Sequence, residues 1–217
     1  MELKGKKINF LGDSITFGSG VADPENIFWN VIARENGAVC RGYGIGGTRI
    51  ARKRVPSADP VFDQDFVSRV ETMDPDADAV VVLGGTNDFG HGDAPIGRME
   101  DRSPYTFYGA MHLLCQALLT RYPNAKLVIM TPLHRLSEDV TVNEIGLPLS
   151  TNLEGFVEIE KEVARYYGIP VLDAFAMSGM QPKVPVIQQM FMPDGLHPND
   201  AGHKKMAELL TGFLRAL

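Results

Sequence analysis

Phe10-Leu11-Gly12-Asp13-Ser14-Ile15-Thr16-Phe17-Gly18 runs from an apolar segment through a glycine to a serine. Just upstream, Lys7-Ile8-Asn9-Phe10-Leu11 is short, β-prone and has no alternating polar face. That is the pattern of a strand covered on both sides in a parallel sheet. Gly12 permits a tight turn, which places Ser14 at the start of a helix. Backbone N–H groups are free there, and the helix dipole favours a developing negative charge. A nucleophilic hydroxyl suits the position, and so does a serine that only caps the helix. The rest of the chain has to separate the two.

Working outward, Pro24 to Asn36 predicts a helix that stops at Gly37. Residues 38–43 (Ala-Val-Cys-Arg-Gly-Tyr) predict a second strand, followed by the turn Gly44-Ile45-Gly46-Gly47-Thr48. Phe62, Phe66, Val70 and Met73 fall on one face of a predicted helix over 62–73. Ala79-Val80-Val81-Val82-Leu83 is the clearest buried strand, and it runs into Gly84-Gly85-Thr86-Asn87-Asp88. Further helices are predicted over 105–122, with Met111, Leu114, Leu118 and Leu119 inward, over 153–167, and over 199–217. Strands are predicted over 126–130 and 169–173. Five strands alternating with helices predict one α/β domain over 1–217, a three-layer sandwich around a five-stranded parallel sheet. Ligands bind such sheets at the carboxyl ends of the strands. Ser14, Gly47, Asn87 and His197 all follow predicted strands on that one edge. The long connections 89–104, 132–152 and 175–193 border it, and connections of that length are often lids or binding loops.

The bulk properties narrow the partners. A chain of 217 residues is long enough for one sizeable core. A net charge of −6 argues against nucleic acid or an anionic membrane as the main partner. Cys40 and Cys115 form neither a disulfide framework nor a zinc site, and both are expected to be buried structural thiols. Met1 leads through a basic run into a strand too short to be a signal's hydrophobic region, and no apolar run approaches transmembrane length. The expected compartment is the cytoplasm, without membrane insertion. Nothing in the sequence indicates an oligomeric state.

Acyl transfer through a serine needs a base, a group that orients the base, and donors aimed at the developing oxyanion. Asp194 and His197, three residues apart in Asp194-Gly195-Leu196-His197-Pro198, can supply the carboxylate and the base. Asn87 offers a side-chain amide, and Gly47 a backbone N–H that no side chain obstructs. Each also has a plainer reading, as a turn residue, a surface histidine or an ordinary glycine turn.

Taken together and in order, Gly12-Asp13-Ser14, the turn ending in Gly47, Gly84-Gly85-Thr86-Asn87-Asp88 and Asp194-Gly195-Leu196-His197-Pro198 resemble the four signature blocks of the SGNH hydrolases, or GDSL esterase/lipase family. The resemblance covers essentially the whole chain, although Ile15 stands where the family name has leucine. It implies a flavodoxin-like fold and a serine esterase. Ser14 would be the nucleophile, His197 the general base and Asp194 its orienting carboxylate. The backbone N–H groups of Ser14 and Gly47 and the Asn87 amide would form the oxyanion hole. No metal or organic cofactor is implied. The implied substrate is a small ester, with acylated carbohydrate foremost. A lipase- or thioesterase-like activity on longer chains and a catalytically silent binding domain are the alternatives.

Several features compete with this reading. Gly42 to Gly47 satisfies G-x-G-x-x-G, but a dinucleotide site also wants a helix directly after it and an acidic residue at a later strand end. Arg49, Arg52, Lys53 and Arg54 read as a solvated face or as a grip on an anionic substrate group. Asp13 and Asp88 are expected to hydrogen-bond turn backbone, and His203 to pack or face solvent. His91, His134 and Arg135 are candidate substrate contacts. Phe89, Met177, Met180, Met190, Phe191 and Met192 read as pocket lining or as packing.

Overall fold

The computed structural model describes residues 1–217. Its strands are β1 (Lys7–Gly12), β2 (Val39–Gly44), β3 (Ala79–Leu83), β4 (Lys126–Met130) and β5 (Val171–Leu172). They form one sheet in the order β2-β1-β3-β4-β5, and every pairing is parallel. The helices are α1 (Ser14–Phe17), α2 (Phe28–Asn36), α3 (Phe66–Arg69), α4 (Thr86–His91), α5 (Phe107–Arg121), α6 (Leu153–Tyr166), α7 (Ala174–Met177), α8 (Pro185–Phe191) and α9 (Asp200–Ala216). The chain order reverses at β1, which lies between β2 and β3. In open α/β sheets that reversal leaves a crevice at the strand ends, where ligands bind.

Apart from Asn9 and the leading lysines of β1 and β4, the inner strands are apolar because both faces are covered. Ile8, Phe10, Ala79, Val81, Leu83, Val128 and Met130 point into one core, with Phe28, Val31 and Ile32 of α2 and Met206, Leu210 and Leu214 of α9. Leu11, Val80, Val82, Leu127 and Ile129 point into the other, with the inner residues of α5 and α6. This is period-two alternation hidden inside a continuous apolar run. Asn9 is the polar interruption in β1. Its amide donates to Asp74 O at 2.8 Å and its oxygen accepts from Arg41 at 3.2 Å, so its burial leaves no orphan.

Six sequence expectations change. The helix predicted over 62–73 is broken into a 3₁₀ turn at Pro60–Asp63, the single turn of α3 and a second 3₁₀ turn at Val70–Thr72. Asp63 turns back to accept the Ser57 N–H, while Asp65 caps α3 by accepting from Ser68 N. Two local acceptors therefore compete with helix continuation. The first helix likewise splits into Pro24–Asn26 and α2, because Ile27 is extended between them. The strand expected over 169–173 pairs only at Val171 and Leu172. The connection 175–193 takes in the end of α7 and the whole of α8. Leu119 is 38 % exposed rather than inward, and Cys40 is only partly buried whereas Cys115 is fully so. No helix is long and apolar enough to cross a membrane.

Candidate active site

β1 delivers the serine. Asp13 caps α1 by accepting the Ile15 N–H at 2.9 Å, and Ser14 is the first helical residue. The helix has only four residues, so it offers local N–H groups rather than much of a macrodipole. It sits directly on β2: a Cβ on Gly44 would stand 2.1 Å from Phe17 N and 2.5 Å from the Thr16 carbonyl carbon. Only glycine allows that approach. The turn after β2 then folds back, with Ile45 N donating to Gly12 O at 3.2 Å. A Cβ on Gly46 would lie 3.8 Å from that of Ser14. Gly47 adopts a φ of 72°, the left-handed region that glycine enters without strain.

Arg69 locks these pieces together. It is buried, and donates to Tyr43 O at 2.9 Å, Gly12 O at 2.9 Å and Thr48 Oγ1 at 3.0 Å. Burial, partly offset by Asp13 and Asp65, pushes its guanidinium down to about 10. Asp88 does the same work from the first turn of α4. Its two oxygens accept the Ile50 and Ala51 N–H groups at 2.9 and 2.8 Å, which fixes the segment just beyond Gly47. Burial pushes Asp88 up to about 7 against the pull of those two donors, and burial likewise pushes Asp13 up to about 6. Both acids bond backbone. Asp13 serves its own turn, and Asp88 serves the neighbouring loop.

The loop between α8 and α9 brings the other two groups. His197 Nε2 lies 3.0 Å from Ser14 Oγ, and His197 Nδ1 lies 2.7 Å from Asp194 Oδ2. The second carboxylate oxygen of Asp194 accepts the N–H groups of Leu196 at 2.9 Å and His197 at 2.7 Å. Burial opposes ionisation of Asp194, but those donors and the imidazole outweigh it and hold the carboxyl below its usual range. The carboxylate only accepts, so Nδ1 carries the proton and Nε2 is free to accept from the serine hydroxyl.

Asn87, in the first turn of α4, is nearly fully buried. Its Nδ2 donates to Thr48 O at 2.9 Å, and the second N–H of that amide has no protein acceptor. Its Oδ1 lies 3.1 Å from His91 Nε2, and His91 Nδ1 lies 3.0 Å from Arg49. Beside this group is a cavity of about 230 Å³ lined by Gly47, Arg49, Lys53, Ser57, Phe62, His91 and Ile145. The structure thus draws Ser14, Asp194 and His197 into one hydrogen-bonded line. The Gly46–Gly47 turn lies against the serine.

The competing features find other places. No helix directly follows Gly42–Gly47, the next helical turn starting at Pro60. Arg49 is buried, not on a solvated face. Arg52 pairs with Asp65 at 2.9 Å and Lys53 donates to Ser57 at 2.8 Å. His134 bonds Glu138 at 2.7 Å, and Arg135 is buried and donates to Thr86 O at 3.2 Å, so both organise the 132–152 connection. Phe89, Met180 and Met192 are buried in the cores. Met177 lines a separate cavity with Leu209 and Phe213. His203 is buried, and its Nδ1 accepts the Phe28 N–H at 3.2 Å. Reasoning from sequence missed Arg69 and the link from Arg49 to Asn87. The signal for the link was the four-residue spacing of Asn87 and His91, which stacks them on one helix face once α4 is helical.

The sequence profile of the GDSL-like lipase/acylhydrolase family matches residues 10–205. The chain belongs to that family. It is an ester-hydrolysing enzyme on the α/β fold of its relatives. A solved structure from Lactobacillus plantarum is 28% identical, covers 99% of this chain and 98% of its own, and superposes with a TM-score of 0.84. A two-domain esterase active on acetylated mannans is 22% identical, with a TM-score of 0.63 over 99% of this chain and 49% of its own, a likeness of fold. An acetylxylan esterase of Xylanibacter ruminicola is 29% identical over 91 residues, which is 42% of this chain. The match spans only 16% of that relative's length.

Proposed function

We propose that this GDSL-family enzyme removes short acyl groups, acetyl foremost, from carbohydrate hydroxyls through a Ser14–His197–Asp194 triad. The observation that carries the mechanism is the unbroken line from Ser14 Oγ to His197 Nε2 at 3.0 Å and from His197 Nδ1 to Asp194 at 2.7 Å. Ser14 Oγ attacks the ester carbonyl as its proton passes to His197 Nε2. Asp194 stabilises the imidazolium across the Nδ1–H bond. The tetrahedral oxyanion is met by the backbone N–H groups of Ser14 and Gly47 and by the free N–H of the Asn87 amide. Collapse breaks the ester C–O bond, and the leaving alcohol takes the proton from Nε2. Water then attacks the acyl-enzyme under the same base. This releases the carboxylic acid and restores the serine hydroxyl.

The choice of substrate is supported by the acetylxylan esterase relative, and the cavity beside Gly47 offers Lys53, Ser57 and His91 as polar groups that could meet sugar hydroxyls. The test is a series of p-nitrophenyl esters of rising chain length run beside acetylated xylo- and manno-oligosaccharides. A sharp preference for acetate together with sugar deacetylation is expected. A preference for long chains would replace this reading with a lipase-like one. Retention of ester hydrolysis by Ser14→Ala would remove the triad mechanism altogether. Hydrolysis of the aryl esters without deacetylation of the sugars would keep the esterase and remove the carbohydrate substrate.

A further inference from the structure

Arg49, His91 and Asn87 form a chain of hydrogen bonds in which the direction of every bond is determined. A guanidinium can only donate. Arg49 Nη1 lies 3.0 Å from His91 Nδ1, so that nitrogen must be the acceptor, and the ring proton must be on Nε2. Nε2 then donates to Asn87 Oδ1 at 3.1 Å. At the other end of the amide, Thr48 O can only accept, and it takes one Nδ2 proton at 2.9 Å. The amide is therefore held from both sides: oxygen toward His91, nitrogen toward Thr48, with one N–H left over. Arg49 is itself fixed, donating to Phe62 O at 2.8 Å and facing Asp63 at 3.9 Å. Burial and the Arg49 charge both disfavour the imidazolium of His91, which keeps one ring nitrogen available as acceptor.

We propose that His91 and Arg49 are positioning residues that hold the Asn87 amide with its free N–H turned toward the oxyanion. The proposal deepens the serine-esterase reading and rests on Asn87 acting as a donor there. Without His91, the Asn87 oxygen loses its partner and the amide is free to rotate. A donor that has to be ordered during the reaction stabilises the transition state less than one already in place. The His91 ring lies on the far side of Asn87 from the Thr48 contact and also lines the cavity beside Gly47. A direct contact between His91 and substrate is therefore the competing role, and kinetics can separate the two.

The experiment has three arms. Asn87→Ala first tests the underlying reading, with an expected loss in kcat on the order of 10²–10³. If that loss is absent, the Asn87 donor role fails, whatever His91 does. His91→Phe keeps a flat aromatic ring, somewhat larger than imidazole, and removes both hydrogen bonds. It should lower kcat on p-nitrophenyl acetate about 10- to 100-fold with KM unchanged. His91→Gln can still donate to Asn87 and accept from Arg49, and should recover most of that loss. A His91→Phe enzyme with wild-type kcat, or one impaired only in KM, overturns the proposal while Asn87→Ala remains impaired. Should His91→Phe fail to fold, the ring tautomer of wild-type His91 decides, read by ¹H–¹⁵N NMR of histidine-labelled protein. A proton on Nε2 supports the chain of bonds, and a proton on Nδ1 overturns it.

Discussion

Replacing Asp194 by asparagine tests the triad through its geometry rather than through its charge alone. One oxygen of Asp194 accepts two backbone N–H groups, from Leu196 at 2.9 Å and His197 at 2.7 Å. The other accepts His197 Nδ1–H at 2.7 Å. Asparagine has a single acceptor atom. Two fixed backbone donors claim it, so the amide nitrogen is turned toward the imidazole. An N–H facing Nδ1 forces that nitrogen to accept, and the ring proton moves to Nε2, opposite Ser14. The base then has no lone pair for the serine proton. A wrong tautomer of this kind costs about 10⁴ in kcat, or roughly 5.5 kcal/mol of transition-state stabilisation. Asp194→Ala imposes no tautomer. Because the Asp194 side chain is 55% exposed, water can take its place against Nδ1 and the two backbone donors. Asparagine should therefore be the more damaging substitution, against the usual ranking by similarity. The assay is kcat for p-nitrophenyl acetate at neutral pH on both variants, with circular dichroism to verify folding. A folded Asp194→Asn enzyme that retains more than a tenth of wild-type kcat, or that exceeds Asp194→Ala, would refute the reasoning.

Three further predictions concern stability. Gly44→Ala would push a methyl group to within 2.1 Å of the Phe17 backbone, so it should cost at least ~1–3 kcal/mol and lower activity by displacing α1. Gly212→Ala in α9, where a Cβ meets nothing within 4 Å, should raise stability by about 0.5–1 kcal/mol without touching activity. Urea unfolding and ester hydrolysis read both, and equal effects of the two substitutions would contradict the packing described. Burial pushes His203 down to about 4 from 6.5, and protonation of Nδ1 would break its bond to the Phe28 N–H. The unfolded chain therefore binds the proton first. Stability should fall by up to about 3 kcal/mol as pH drops from 6.5 to 4. His203→Gln should flatten that acid limb in urea titrations at pH 4.5 and 7, and an unchanged slope would assign the loss to other groups.

The parts of the fold that could be read from sequence are those dictated by local chemistry. An apolar β-prone run that ends in a glycine and a polar turn specifies a strand end, and three such ends, after β1, β2 and β3, specify an edge of the sheet. The helix over 62–73 was misread because the apolar spacing of Phe66, Val70 and Met73 is real, and all three are buried. Spacing does not reveal that Asp63 and Asp65 have better partners than helix continuation offers. Arg49 was misread for a related reason. A run of cations looks like a solvated face until the fold supplies Phe62 O and His91 Nδ1 as buried acceptors, and those lie 13 and 42 residues away. Arg69 was invisible in the same way, because its three acceptors come together only when β1 and β2 are paired.

The hydrogen bond between Ser14 and His197 joins positions 183 residues apart. The proposed nucleophile and oxyanion donors directly follow the first three strands, and the proposed base arrives just before the final helix. A partly folded chain in which α9 has not docked would hold a shaped but idle pocket, able to receive an ester and unable to cleave it. Turnover thus reports on closure of the whole polypeptide, and the appearance of hydrolysis during refolding would mark the last long-range contact rather than the formation of the sheet.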